Sequence, residues 1–113
     1  MVRLAVILAL ICGPLAYADY RERGPNLQPA QAAFHVINSQ YFDGQLPTPT
    51  FRYADLPDAL ATTIQGSDGR FVIELRPEVD LKVLRHEACH IATIDEAEEH
   101  GPQWASCMER FPK

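Results

Sequence analysis

Three of the chain's four histidines fall within "LRHEACHIATIDEAEEHGPQW", Leu84 to Trp104. Two imidazoles four residues apart on a helix form a pincer for a metal ion. His86 and His90 have that spacing. At about 100° per residue they stand roughly 40° apart around a helix and one turn apart along it. Both rings can then reach one ion at ~2.0–2.1 Å, the zinc–nitrogen distance. Glu87 lies about 60° from His90 on the same side, where it can hold a water at the ion without displacing it. Zinc lowers the pKa of such a water toward ~7, and the neighbouring carboxylate can take its proton as it attacks a carbonyl carbon. Residues 86–90 therefore read as HExxH, with His86 and His90 as metal ligands and Glu87 as the general base.

Two ligands do not make a durable site, because catalytic zinc takes three protein ligands plus water. His100 follows His90 by ten residues, beyond a loop that can fold back, and is the first candidate. Glu96, Glu98 and Glu99 in the same loop are rivals, as is Glu109 farther on. The extended motif that places Gly and His three and six residues past the second histidine is absent, since Thr93 and Glu96 stand there.

The elements that must position these groups can be read from periodicity and punctuation. "PAQAAFHVINSQYF" has Pro29 in its first turn and Ala33, Phe34, Ile37 and Tyr41 at helical spacing. His35 lies off that stripe and reads as a partly exposed helix residue. "TFRYA" is a short strand. "ATTIQ", "GSDG" and "RFVIEL" read as a hairpin, with Phe71, Ile73 and Leu75 on one face and Val72 and Glu74 on the other. Pro77 opens the motif helix, "VDLKVLRHEACHIATI", with Glu78 and Asp80 in its first turn. Leu81, Leu84, Ala88 and Ile91 form its apolar stripe, roughly opposite the histidines, so one face can be buried while the other looks into a cleft. "DEAEEHG" reads as a solvated loop. "PQWASCMERF" reads as a last helix with Trp104, Met108 and Phe111 as core candidates.

At the N-terminus, "MVR", an apolar run broken by Gly13 and Pro14, and "AYA" form the three-part layout of a secretory signal, with cleavage after Ala18. The alternative is a retained membrane anchor, although the run is shorter than the ~20 residues a bilayer core needs. Cys12 follows Ile11, which is too bulky for a lipidation site. Cleavage leaves residues 19–113, one domain with a modest core. That domain keeps nine of the ten basic residues and all fifteen acidic ones, a net charge of −6. It lacks the basic stripe that nucleic-acid binding requires. Two cysteines remain, Cys89 and Cys107. A disulfide between them, a buried free thiol, or Cys89 as a soft metal ligand are all open readings.

The chain resembles the SprT-like zinc metallopeptidases, the group of bacterial SprT and the Spartan proteases. The resemblance spans nearly all of residues 19–113. It is carried by "YFDGQLPTPTF" after the first helix, "FVIELRPE" before the motif helix, "LRHEACHI", and "HGPQW". It implies His86, His90 and His100 as the zinc ligands and Glu87 as the catalytic base. It further implies an α+β, zincin-like domain: a small three-stranded sheet packed on an N-terminal helix and the HExxH helix, plus a C-terminal helix. The resemblance implies a zinc endopeptidase acting on a protein or peptide substrate; its members are mostly intracellular, so the expectation that this chain is exported, secreted or periplasmic, rests on the N-terminal segment, and a monomer is expected. The DNA-linked substrates of the Spartan branch are not carried over, because this chain is acidic and opens on an export-like segment. Two alternatives stand beside this reading: a zinc-stabilised binding module without catalysis, against which Glu87 argues, and a zinc amidase acting on cell-wall peptides. In zincins the substrate lies extended along an edge strand, here "ATTIQ" or "RFVIEL".

Overall fold

The computed structural model describes residues 27–113. The proposed signal segment, its cleavage point after Ala18 and residues 19–26 lie outside the described residues. Six elements follow in order: α1 (Gln28–Phe42), β1 (Thr50–Tyr53), β2 (Ala61–Gln65), β3 (Phe71–Leu75), α2 (Leu81–Ala92) and α3 (Pro102–Met108). The domain is α+β, with one three-stranded mixed sheet and three helices. Among the described residues no helix is long and apolar enough to cross a membrane.

Helix α1 ends where Asp43 and Gly44 turn left-handed, at φ 53° and 70°. The buried Asn38 secures this turn. Its amide donates to the Leu46 carbonyl and its side-chain oxygen accepts from the Leu46 N–H, both at 3.0 Å. The buried face of α1 is Ala30, Phe34, Ile37 and Phe42, while Ala33 and Tyr41 are only partly buried. His35 is exposed, as expected.

The strand order is β1-β3-β2, with β1 parallel and β2 antiparallel to β3. The hairpin closes through Gly66 N–H to the Arg70 carbonyl at 2.8 Å, and Gly69 takes the left-handed φ of 85° that the turn demands. The alternation of β3 is as read from its sequence: Phe71, Ile73 and Leu75 are buried, and Val72 and Glu74 are half-exposed. Phe71, Ile73 and Leu75 meet Phe34 and Ile37 of α1, Phe51 of β1, and Leu84, Ala88 and Ile91 of α2 in one core. Because β3 is central, β2 is the edge strand of the hairpin.

Three expectations shift. Helix α2 begins at Leu81 rather than Val79. Asp80 is its N-cap, accepting from the Val83 N–H at 3.0 Å, and Glu78 instead pairs with Arg76 at 2.6 Å before the helix starts. Leu81 is 46% exposed, since the first helical residue overhangs the core that its stripe partners Leu84, Ala88 and Ile91 fill. Helix α3 stops at Met108, and Phe111 is buried from the turn that follows, while Trp104 and Met108 are half-buried.

Cys89 and Cys107 are joined in a disulfide between α2 and α3, with Cα atoms 5.8 Å apart. Of the three readings open for Cys89, the bond is the one realised.

Candidate metal centre

Helix α2 places His86 and His90 on the side away from Leu84, Ala88 and Ile91, as its apolar period demands. The chain then leaves α2 at Ala92. Thr93 sends both its N–H and its hydroxyl to the Cys89 carbonyl, at 3.0 and 2.7 Å, and the loop folds back. His100 arrives with a left-handed φ of 61°, a conformation in which a non-glycine residue is uncommon.

The three Nε2 atoms form a near-equilateral triangle. His86 and His90 are 3.1 Å apart, and His100 is 3.0 Å from each. Each imidazole nitrogen offers one in-plane lone pair or one N–H, so three nitrogens in a triangle cannot all hydrogen-bond one another. Nitrogens at ~2.0–2.1 Å from one tetrahedral centre stand about 3.3–3.4 Å apart. The observed triangle is within a few tenths of an ångström of that, and three neutral imidazoles form a donor set suited to a borderline-soft divalent ion. His86, His90 and His100 thus lie close enough to bind one metal ion, and among the described residues they are the one such group. Glu96, Glu98, Glu99 and Glu109 do not belong to it.

Local fields favour the ligating, neutral form. Burial, followed by the neighbouring His90 and His100, depresses the His86 pKa to about 4. His90 is lowered as well, first by burial and then by His100. Glu99 opposes both shifts.

Glu87 is 3% exposed, so an ionisable carboxyl is buried beside the triangle. Its Oε1 accepts the Thr63 hydroxyl of β2 at 2.7 Å, and its Oε2 stands 3.9 Å from His86 Nε2. Burial raises its pKa, and the Thr63 bond partly offsets that rise. The cleft above these groups encloses about 380 Å³ and is walled by β2 residues Ala61, Thr62 and Thr63 on one side and by the loop carrying Glu98 and Glu99 on the other. No protein-family model, curated protein or solved structure matches the chain. The centre is therefore read from its own geometry.

Two supporting residues were not visible as such in the sequence. Trp104, expected only as core, donates its indole N–H to the His86 carbonyl at 3.3 Å. Its ring lies 4.8, 5.8 and 4.6 Å from the rings of His86, His90 and His100. Glu96, expected in a solvated run, instead caps α3: its two oxygens accept from Gln103 N–H at 2.8 Å and Trp104 N–H at 2.9 Å. A carboxylate at a helix N-terminus satisfies orphan donors and complements the helix dipole. Gly101 makes room for it, since a Cβ there would lie 2.5 Å from Glu96 Oε2. The "HGPQW" spacing was the available signal: Gly-Pro starts a helix, and the third residue after Gly101 faces back toward the ligand.

Proposed function

We propose that this protein is an exported zinc-dependent endopeptidase of the SprT-like kind, with a minimal zincin-like fold. The observation that carries the reading is the placement of Glu87, a buried carboxylate next to the histidine triangle but outside it, held by a strand that borders the cleft. A non-catalytic zinc site has no use for such a group. His86, His90 and His100 hold the ion. When bound, zinc supplies Lewis-acid polarisation of a carbonyl and acidifies a water near it.

The remaining steps belong to the chain's own residues. Thr63 fixes one oxygen of Glu87 and leaves Oε2 free to face the reacting water. As water attacks the carbonyl carbon, one proton passes to Glu87 Oε2. That proton then moves to the amide nitrogen as the C–N bond breaks, and the water's second proton passes from the new carboxyl to the amine, giving a carboxylate and an ammonium. A carboxyl whose pKa is raised by burial can hold the proton between these events.

Strand β2 supports substrate binding. The hydrogen bonds Arg76 N–H to Leu60 carbonyl and Gly66 N–H to Arg70 carbonyl set the ladder phase. By the alternation of antiparallel pairs, the main-chain groups of Ala61, Thr63 and Gln65 then point away from β3. An extended peptide can pair with them as an added strand beside Glu87.

The test is hydrolysis of unfolded protein by the purified protein, with Glu87→Gln as control. Glu87→Gln should lose about a hundredfold to ten-thousandfold in rate while keeping one zinc per chain. Full activity in Glu87→Gln, or none in the wild type, overturns the reading.

A further inference from the structure

The cleft does not end at the histidines. On the side of His86 and Glu87 toward the start of α2 it opens into a second pocket of about 290 Å³, lined by Leu60, Val83 and Met108. The two spaces share Ala59, Ala61, His86 and Glu87. Leu60 is 41% exposed, a large apolar side chain at the rim with nothing over it. Beyond this pocket, across Lys82 and Met108, lies a wider depression of about 540 Å³ lined by Arg85, Phe111 and Lys113. Three concavities therefore follow one another from the histidines along α2, each sharing wall residues with the next.

Charge is distributed unevenly along this row. Arg52, Arg70 and Arg76 each pair with a carboxylate. Among the described residues Lys82, Arg85 and Lys113 form no such pair, and all three border the far depression, with Glu109 the one acidic side chain among them. Arg85 lies over the Phe111 ring at 5.3 Å, and its buried Nε has no hydrogen-bond partner. At the opposite end, the wall of the metal cleft carries Glu98 and Glu99. Glu96 also lines that end but is engaged in capping α3. The row of pockets is thus cationic at one end and anionic at the other, in a chain of net charge −5.

We infer that this polarity selects and orients the substrate: an extended segment with an aliphatic or aromatic side chain next to the cleaved bond, an acidic residue on the Lys82 side of it and a basic residue on the Glu98–Glu99 side. This rests on the peptidase reading above. Lys82 is one helical turn, about 6 Å, before His86. An extended chain covers that in about two residues. Antiparallel pairing with β2 is the more stable ladder. It lays the substrate's C-terminal side over Leu60 and Lys82, so the apolar residue directly follows the cleaved bond and the acidic residue comes two to three positions after it.

Two synthetic peptides of identical composition test this, one with acidic residues after the apolar position and basic residues before it, the other with the charges exchanged. Wild type should cleave the first about tenfold faster, and 0.5 M salt should shrink the ratio by screening, since the Debye length falls to a few ångströms. Lys82→Glu, checked for folding by zinc content, should bring the ratio to about one or invert it. Equal rates on both peptides, or a bias untouched by Lys82→Glu, overturns the inference. Fluorescence anisotropy on Glu87→Gln separates this from failure of the peptidase reading. A tenfold difference in Kd upholds the polarity even if neither peptide is cut, and equal Kd values overturn it even if both are.

Discussion

His86 and His90 reach the histidine triangle by a different route from His100. The first two ride on one helix, and their separation follows from its pitch. Nothing besides α2 is needed to bring them within 3.1 Å. His100 stands on a loop, at a left-handed φ, and is held by contacts its own backbone does not supply: Glu96 of the same loop bonded to the first N–H groups of α3, Trp104 of α3 against its ring, and the disulfide joining α2 to α3. A helix supplies geometry from its own period, whereas a loop must be given geometry by its neighbours. The vulnerable half of the site is therefore the loop half, and its weak points lie outside the ligand set.

The sharpest way to probe this contrast is to remove ligands from each half. His86→Ala and His100→Ala should each lower zinc affinity about a hundredfold or more, since even residues that merely orient ligands are worth about 10–100-fold. Glu98→Ala and Glu109→Ala should leave it within about twofold. Competition with a chromogenic chelator measures all four, and unchanged affinity in His100→Ala would remove the loop from the site.

A smaller effect is expected from the crosslink. Replacing both Cys89 and Cys107 by Ala should cost about 3 kcal/mol of stability in the chain-entropy estimate, read from urea unfolding. It should weaken zinc binding through His100 while leaving α2 helical. Glu96→Gln tests the same half more gently. It turns one charge-assisted bond into a neutral one and sets an amide NH2 against the other backbone N–H, so a loss of about 2 kcal/mol and a severalfold drop in zinc affinity are expected. Thr63→Val belongs to the helix half: it frees Glu87 Oε1, and a severalfold fall in kcat at constant zinc content is expected.

The mildest test uses pH on chelator-treated protein. His86 is held down to about 4 in the folded, metal-free chain, against 6.5 ordinarily. The unfolded chain therefore takes the proton first. Stability should be intact above pH 6.5 and decline as pH falls from there toward about 4. Glu87, raised by burial, pulls the other way, so thermal melting at pH 7 and pH 5 is compared in Glu87→Gln, and a Tm that rises on acidification there would contradict the assignment of a buried neutral imidazole.

The same contrast explains what could be read from the sequence. Regular periods announce themselves: the pincer of His86 and His90, the alternation of Phe71, Ile73 and Leu75, and the Gly66–Gly69 turn all stand where spacing put them. Leu81 failed because periodicity predicts a face but not where the core ends beneath it. The order β1-β3-β2, and with it the identity of the edge strand, depends on pairing between distant segments that no local pattern encodes. Glu96 looked like one of several loop acids. Its role appears only once the loop has turned back and placed the α3 donors against it. Cys89 and Cys107 were a pair without a distance until the two helices were set side by side.

The bond between Cys89 and Cys107 encloses the segment that holds His100, and the span from His90 to His100 lies wholly inside it. The covalent ring thus contains a second, coordinative ring. Once the outer ring is shut, much of the entropy of closing the inner one has already been lost, because the ends of a short tether meet at high effective concentration. An oxidised chain that has lost its fold would still keep His90 and His100 in each other's neighbourhood. For an ion held by the three histidines, capture would then be a late and reversible step on a prearranged scaffold, one that need not find its third ligand anew.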